Sequence, residues 1–178
     1  MGLELQILNY IQTLRTPFGD FIMPLISSLG NAGILWILLT IVMLIRPKTR
    51  KTGWILLAAL LVDLIICNLC LKPLVARVRP YNVNRTVTLL VAPLKDYSFP
   101  SGHTAASFAC VIALYLAGEK WLWKIALVIS ILIAFSRMYL YVHYPTDVLG
   151  GLIIGLLCGW IADVIIKKIA ERKAKVKA

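Results

Sequence analysis

Five long apolar runs, at about residues 31–45, 53–71, 104–117, 122–141 and 148–166, constrain this chain more than any other feature. Several approach the ~20 residues that an α-helix needs to cross the hydrocarbon core of a bilayer. The expected fold class is therefore all-α: a polytopic transmembrane helix bundle with five spans, and residues 18–28 as a candidate sixth. A chain of 178 residues that is 60% hydrophobic, with a mean hydropathy of +0.85, is too apolar for a soluble domain, and its length allows one compact bundle. Residues 3–15 alternate Leu5, Ile7, Leu8, Ile11 and Leu14 with Glu4, Gln6, Asn9, Gln12 and Arg15. That spacing predicts an amphipathic helix lying in the membrane interface, within an N-terminal region of residues 1–29. The start lacks the basic segment of a signal peptide and the hydroxyl residue of a myristoylation site.

The formal charge of +11 is gathered into blocks. Arg46, Lys48, Arg50 and Lys51 form one; Lys167, Lys168, Arg172, Lys173, Lys175 and Lys177 form the other, in a tail of residues 167–178. Beside apolar spans such blocks set topology and meet anionic headgroups, so no nucleic-acid partner is expected. With both blocks cytoplasmic, counting spans places residues 72–103 and 143–147 together on the extracytoplasmic face of a plasma membrane. Cys67, Cys70, Cys110 and Cys158 lie in apolar segments, and no further ligands accompany the Cys67-x-x-Cys70 pair, so they read as packing and no metal site is expected. Gly151, Gly155 and Gly159 recur every four residues on the last span. Such a stripe suits close packing inside one bundle and is also compatible with a homodimer.

The chain has only two histidines, and each sits among residues that handle anions. Lys72 and Arg79, seven residues apart, are expected on one helical face, where an ammonium and a guanidinium fork can meet phosphate oxygens. Arg77 beside them suits a snorkelling role equally well. Pro100-Ser101-Gly102-His103 opens directly into an apolar helix, so free N–H groups at the positive end of the dipole can bind an anion, and Ser101 can cap the same helix. Ser136-Arg137 precedes His143 and Asp147; an arginine at a span end implies a partner. Asp147 suits a helix cap and also a carboxylate that holds one nitrogen of His143, leaving the other free to attack. Asp63 lies mid-span, where a carboxylate suggests either a function or a buried hydrogen bond to Asn31 or Asn68.

Together, Lys72-x6-Arg79-Pro80, Pro100-Ser101-Gly102-His103 and Ser136-Arg137-x5-His143-x3-Asp147 resemble the three signature motifs of the type 2 phosphatidic acid phosphatase superfamily, in residue type, order and spacing across residues 72–147. The resemblance implies a metal-independent membrane lipid phosphatase without cofactors. It implies that His143 is the nucleophile forming a phosphohistidine, that Asp147 orients it, and that His103 protonates the leaving oxygen and then activates water. Lys72, Arg79, Ser101, Gly102 and Arg137 would bind phosphate, with Arg77 and Ser136 in support. The compact chain resembles bacterial members that hydrolyse undecaprenyl pyrophosphate, with phosphatidylglycerophosphate or phosphatidic acid as the alternative. A lipid phosphotransferase, or a non-catalytic phospholipid binder or transporter, is the reading from another class. The expected partner is a lipid phosphate that enters from the bilayer.

Overall fold

The computed structural model describes residues 2–177, with side chains through Lys175. Among these residues the chain is helical, with no strand: α1 (Leu3–Thr13), α2 (Pro17–Ser28), α3 (Ile34–Ile45), α4 (Arg50–Asp63), α5 (Lys72–Val75), α6 (Pro80–Val83), α7 (Gly102–Leu116), α8 (Leu122–Tyr139) and α9 (Pro145–Lys177). A π-helical stretch, Leu64–Leu71, joins α4 to α5. Outward-facing positions are apolar, among them Leu38 and Ile41 on α3, Val128 and Ile131 on α8, and Ile153 and Leu157 on α9. Water would penalise such a surface; a hydrocarbon solvent does not.

The five separate spans expected from the sequence are not reproduced one for one. Among the described residues, three helical stretches are long and apolar enough to cross a membrane: Pro47–Val83, Leu122–Tyr139 and Pro145–Lys175. A fourth is a bent pair, Pro17–Ser28 with Asn31–Ile45, which turns by 45°. The bend has a local cause: Ala32 and Gly33 take left-handed backbone angles, φ 49° and 69°. Residues 18–28 thus form one limb of a bent pair with α3, as in a broken span or a re-entrant loop. The run at 104–117 becomes α7, which at 15 residues is only ~22 Å long, against a hydrocarbon core of ~30 Å.

Its surroundings explain how α7 can be short. It lies between α4, α8 and α9, and Ala105, Ala109, Cys110, Ala113 and Leu114 are fully buried. Lipid is as apolar as leucine, so close approach of backbones holds such a core, and small residues permit it. The glycines of α9 face this helix: a Cβ on Gly155 would stand 2.3 Å from the Ala105 carbonyl oxygen, and one on Gly159 2.4 Å from that of Ala109. The stripe therefore packs inside the chain. Trp36 donates its indole N–H to Ser107 Oγ at 2.9 Å, which ties α3 to the same helix.

At one end, Thr52 donates to Glu119 at 2.8 Å, so the α3–α4 and α7–α8 loops are neighbours. The other end carries residues 72–103 and 140–147. Helix α1 covers that end, with Leu8 and Ile11 packed against Tyr139–Tyr144.

Candidate active site

Three backbone devices assemble the site. After α5, Ala76 adopts a left-handed conformation (φ 48°) and stops the helix; Arg79 follows in extended backbone (ψ 151°). Lys72 and Arg79 therefore do not share a helical face, contrary to what their spacing predicts. They converge because both reach Asp96, in the loop before the second motif. Lys72 Nζ donates to Asp96 Oδ2, and Arg79 Nη2 donates to Asp96 Oδ1 at 2.6 Å. Arg79 is fixed further by the Asp96 carbonyl at 2.9 Å, the Tyr97 carbonyl at 3.1 Å and the Val142 carbonyl at 2.7 Å.

The second device is the start of α7. A Cβ on Gly102 would lie 3.0 Å from Asn68 Oδ1 and 3.7 Å from Lys72 Nζ, so glycine lets the helix end come close to the ammonium. The Ser101 hydroxyl does not turn to the cavity: it is buried and shares a 2.9 Å hydrogen bond with Thr104 Oγ1. Its backbone N–H donates to the Asp147 carbonyl at 3.0 Å, which binds the second motif to the third. His103 Nε2 lies 2.9 Å from Asn31 Oδ1, so Asn31 serves this ring and not Asp63.

The third device is the α8–α9 turn. Tyr141, at φ 60°, reverses the chain, and the Val142 N–H donates back to the Arg137 carbonyl at 3.1 Å. This lays His143 over the end of α8, almost fully buried at 1% exposure. Its Nε2 is 3.3 Å from Arg79 Nη1, and its Nδ1 is 3.5 Å from Asp147 Oδ2, which is ion-pair reach but longer than a hydrogen bond. Burial first, then the charges of Arg137 and Arg79, push the His143 pKa down to about 3 against the pull of Asp147. The ring is a free base at neutral pH.

Asp147 is itself firmly held. Oδ2 accepts from Ser98 Oγ at 2.5 Å and from the Tyr144 N–H at 2.9 Å; Oδ1 accepts from Arg77 Nη1 at 2.6 Å. The bond to Tyr144, three residues back, is the reach of a capping box, so capping and ring orientation coexist in one side chain. Arg77 stands behind the site: it also pairs with Glu4 at 2.5 Å and lies 3.9 Å over the Tyr144 ring. Ser136 donates to the Ile133 carbonyl at 2.6 Å and braces α8. Arg137 donates to Ser27, while its Nε is buried without a protein partner.

A cavity of about 720 Å³ joins these groups. Lys72, Arg79, Asp96, Gly102, His103, Arg137 and His143 line its polar end. Ile37, Leu57, Leu60, Leu61 and Leu64 line the other, between α3 and α4. Asp63 lines the passage between them, buried, with Oδ1 unpartnered. Sequence reasoning missed Asp96, Ser98, Asn31 and Glu4. No group of three or more His, Cys, Asp or Glu suited to a metal occurs among the described residues.

A bundle of apolar helices with two histidines and three cations around one cavity defines a class, the membrane-embedded phosphohydrolases. Comparison with known proteins agrees. Residues 52–170, more than half the chain, match the PAP2 superfamily. An undecaprenyl-diphosphatase of Sulfolobus acidocaldarius is 32% identical over 162 residues, 91% of this chain and 76% of that protein. The phosphatidylglycerophosphatase B of Bacillus subtilis is 34% identical over 177 residues, 91% of this chain and 82% of that one. The crystal structure of Aquifex aeolicus LpxE superposes with a TM-score of 0.80 at 30% identity, covering 91% and 95% of the two chains. This chain belongs to the PAP2 superfamily, and it is a membrane phosphatase of that family, a hydrolase of phosphate esters.

Proposed function

We propose that the protein removes phosphate from a polyprenyl diphosphate, undecaprenyl pyrophosphate, on the extracytoplasmic face of the plasma membrane. The observation that carries this reading is the two-part cavity. Its cationic end suits a terminal phosphate, and its apolar end, opening between α3 and α4, suits a hydrocarbon chain that arrives sideways from the bilayer. The undecaprenyl-diphosphatase relative supports the choice of lipid. The phosphatidylglycerophosphatase relative supports the second reading, a phosphatidylglycerophosphate phosphatase.

The chemistry follows from the positions of the two rings. His143 Nε2 attacks phosphorus with its lone pair while Asp147 steadies the Nδ1 side and stabilises the ring as it gains positive charge. The N–P bond forms as the bond to the leaving oxygen breaks, and His103 gives that oxygen a proton. Lys72, Arg79, the unpartnered Arg137 Nε and the Gly102 end of α7 stabilise the charge on the equatorial oxygens. His103 then takes a proton from water, which attacks the phosphohistidine, so that inorganic phosphate leaves and His143 is restored.

In the membrane, the bent α2–α3 pair, α4, α7, α8 and α9 would make five crossings. Both basic blocks would be cytoplasmic and α1 would lie over the outer face. Reagent labelling of an Asn84→Cys variant from outside the cell, and of Thr49→Cys only after permeabilisation, is the expected pattern; the reverse would overturn the sidedness. Phosphate release by the purified protein from undecaprenyl pyrophosphate, phosphatidylglycerophosphate and phosphatidic acid tests the substrate, and the diphosphate is expected to turn over fastest. His143→Ala and His103→Ala should each lower the rate by at least ~10²–10⁴. Near-normal turnover in both would sink the mechanism.

A further inference from the structure

Asp96 sits among the cations at the polar end of the cavity. Its two carboxylate oxygens bridge the two cations that close the polar end of the cavity, one oxygen on Lys72 and the other on Arg79. Lys72 and Arg79 are buried, whereas the Asp96 side chain is 48% exposed. Burial raises a carboxyl pKa, but the hydrogen bond and charge of Lys72, and then Arg79, outweigh it here, and Asp96 is held down at about 2. The group is therefore an anion at any working pH.

The loop around it is pinned on both sides. Tyr81 OH donates to the Leu94 carbonyl at 2.8 Å and accepts from the Leu94 N–H at 3.0 Å. The Ser98 N–H donates to the Arg77 carbonyl at 2.8 Å. The carbonyls of Asp96 and Tyr97 also grip Arg79 independently of the carboxylate. A turn of one side chain into solvent thus frees Lys72 Nζ and a proton of Arg79 Nη2, while the Arg79 fork stays aimed. No loop has to move.

We propose that Asp96 is a specificity-determining residue, an internal carboxylate that must be displaced and that therefore admits terminal phosphates and rejects phosphodiesters. This deepens the phosphatase reading above and rests on it. A phosphomonoester carries about −1.5 to −2 charges at pH 7 and three terminal oxygens, and a diphosphate carries more. Either replaces a monovalent carboxylate with a net gain of charge and acceptors at the two cations. A phosphodiester brings one charge and two free oxygens, so it gains nothing over the carboxylate already there. A site that faces a bilayer of phosphodiester lipids needs such a filter, because those headgroups vastly outnumber the substrate.

The opposing account is that Asp96 merely positions Lys72 and Arg79, and the two predict opposite signs. Hydrolysis of p-nitrophenyl phosphate by the full chain is measured with inorganic phosphate, or with phosphatidylglycerol in mixed micelles, as inhibitor. For the unaltered enzyme phosphatidylglycerol should leave the rate unchanged. In Asp96→Asn, and in Asp96→Ser as the second variant, the inhibition constant for phosphate should fall about tenfold, and phosphatidylglycerol should become a competitive inhibitor. An unchanged or raised constant for phosphate in both variants, with phosphatidylglycerol still inert, overturns the proposal. If the unaltered chain releases phosphate neither from p-nitrophenyl phosphate nor from undecaprenyl pyrophosphate, the phosphatase reading is what fails. Phosphate binding by calorimetry on the same three proteins then still decides the role of Asp96, with tighter binding in the variants supporting it and equal or weaker binding refuting it.

Discussion

Gly30→Ala isolates the placement of His103 from its chemistry. Gly30 lies in the break between α2 and α3 with φ −88° and ψ −5°, angles that alanine adopts without strain. Its missing Cβ would stand 2.7 Å from Cδ2 of His103 and 3.2 Å from Cγ2 of Ile133. Carbon atoms in contact settle at ~3.5–4.0 Å, so the ring has to retreat by about 1 Å. Such a retreat strains the 2.9 Å bond from His103 Nε2 to Asn31 and moves the proposed acid away from the leaving oxygen. A 1 Å misplacement of a catalytic group costs on the order of 10²-fold. Lys72, Arg79 and His143 are untouched, so the loss should appear in kcat, with KM nearly constant. Phosphate release across a range of substrate concentrations, with a thermal melt to verify folding, is the assay. A folded variant whose kcat stays within about threefold of the parent, or whose KM alone rises, would refute the assigned position of His103.

Gly155→Ala opposes helix propensity to packing. Alanine gains up to ~1 kcal/mol over glycine inside a helix, but a Cβ 2.3 Å from the Ala105 carbonyl oxygen forces α7 and α9 apart, and overpacking costs ~1–3 kcal/mol. A lowered melting temperature is expected, and a raised one would mean that the helices separate freely. His143, buried as a free base with a pKa of about 3, binds fewer protons folded than unfolded. Its neutral burial is therefore tolerated above pH ~6.5 and destabilises the fold as the pH falls from there toward 3. At pH 5 this amounts to roughly 2 kcal/mol, and His143→Gln should flatten the fall in melting temperature between pH 7 and 5; an unchanged slope would contradict it. Activity should persist in a chelator, because side-chain cations and the α7 dipole are proposed to stabilise the transferring phosphate; loss that magnesium restores would overturn that assignment.

The parts of the site legible in the sequence are those whose chemistry is scarce where it stands. Two histidines, an arginine at the end of an apolar run and a Ser-Gly step into a helix each carry a cost that packing does not explain, so spacing alone draws attention to them. Span counting also places residues 72–103 and 143–147 together on one face, and the structure brings them together, with Arg79 bonded to the Val142 carbonyl and beside His143. The errors come from backbone conformation. Ala76 in left-handed backbone carries no sequence signal, since alanine ordinarily avoids that region, and without it Lys72 and Arg79 appear to ride one helix. Ala32 and Gly33 likewise turn an expected span into half of a bent one. Asp96 and Ser98 were invisible for another reason: they act from an irregular loop, where no periodicity ties a residue to its partners. Glu4 reads as the polar side of an amphipathic helix, yet it reaches across 73 positions of sequence to Arg77.

What fixes the two rings relative to each other is the contact between α7 and α9. The Ser101 N–H bonds to the Asp147 carbonyl at 3.0 Å, and a Cβ on Gly151 would stand 2.6 Å from the Ser101 carbonyl oxygen. The starts of the two helices are thus locked where they carry His103 and Asp147. Gly155 against Ala105 and Gly159 against Ala109 continue the same close approach down the bundle. A sliding of one helix along the other would need both backbones to separate first, which links catalytic geometry to the most tightly packed part of the fold. On the proposed reading, the group that yields to a substrate lies elsewhere: the half-exposed Asp96 carboxylate. Rigidity and adaptability are thereby divided between different elements. The proposed acid, His103, starts α7 and the proposed nucleophile, His143, sits in the turn just before α9, so both lie at the head of the glycine-packed pair, while the proposed filter for headgroups belongs to the loop that carries Asp96.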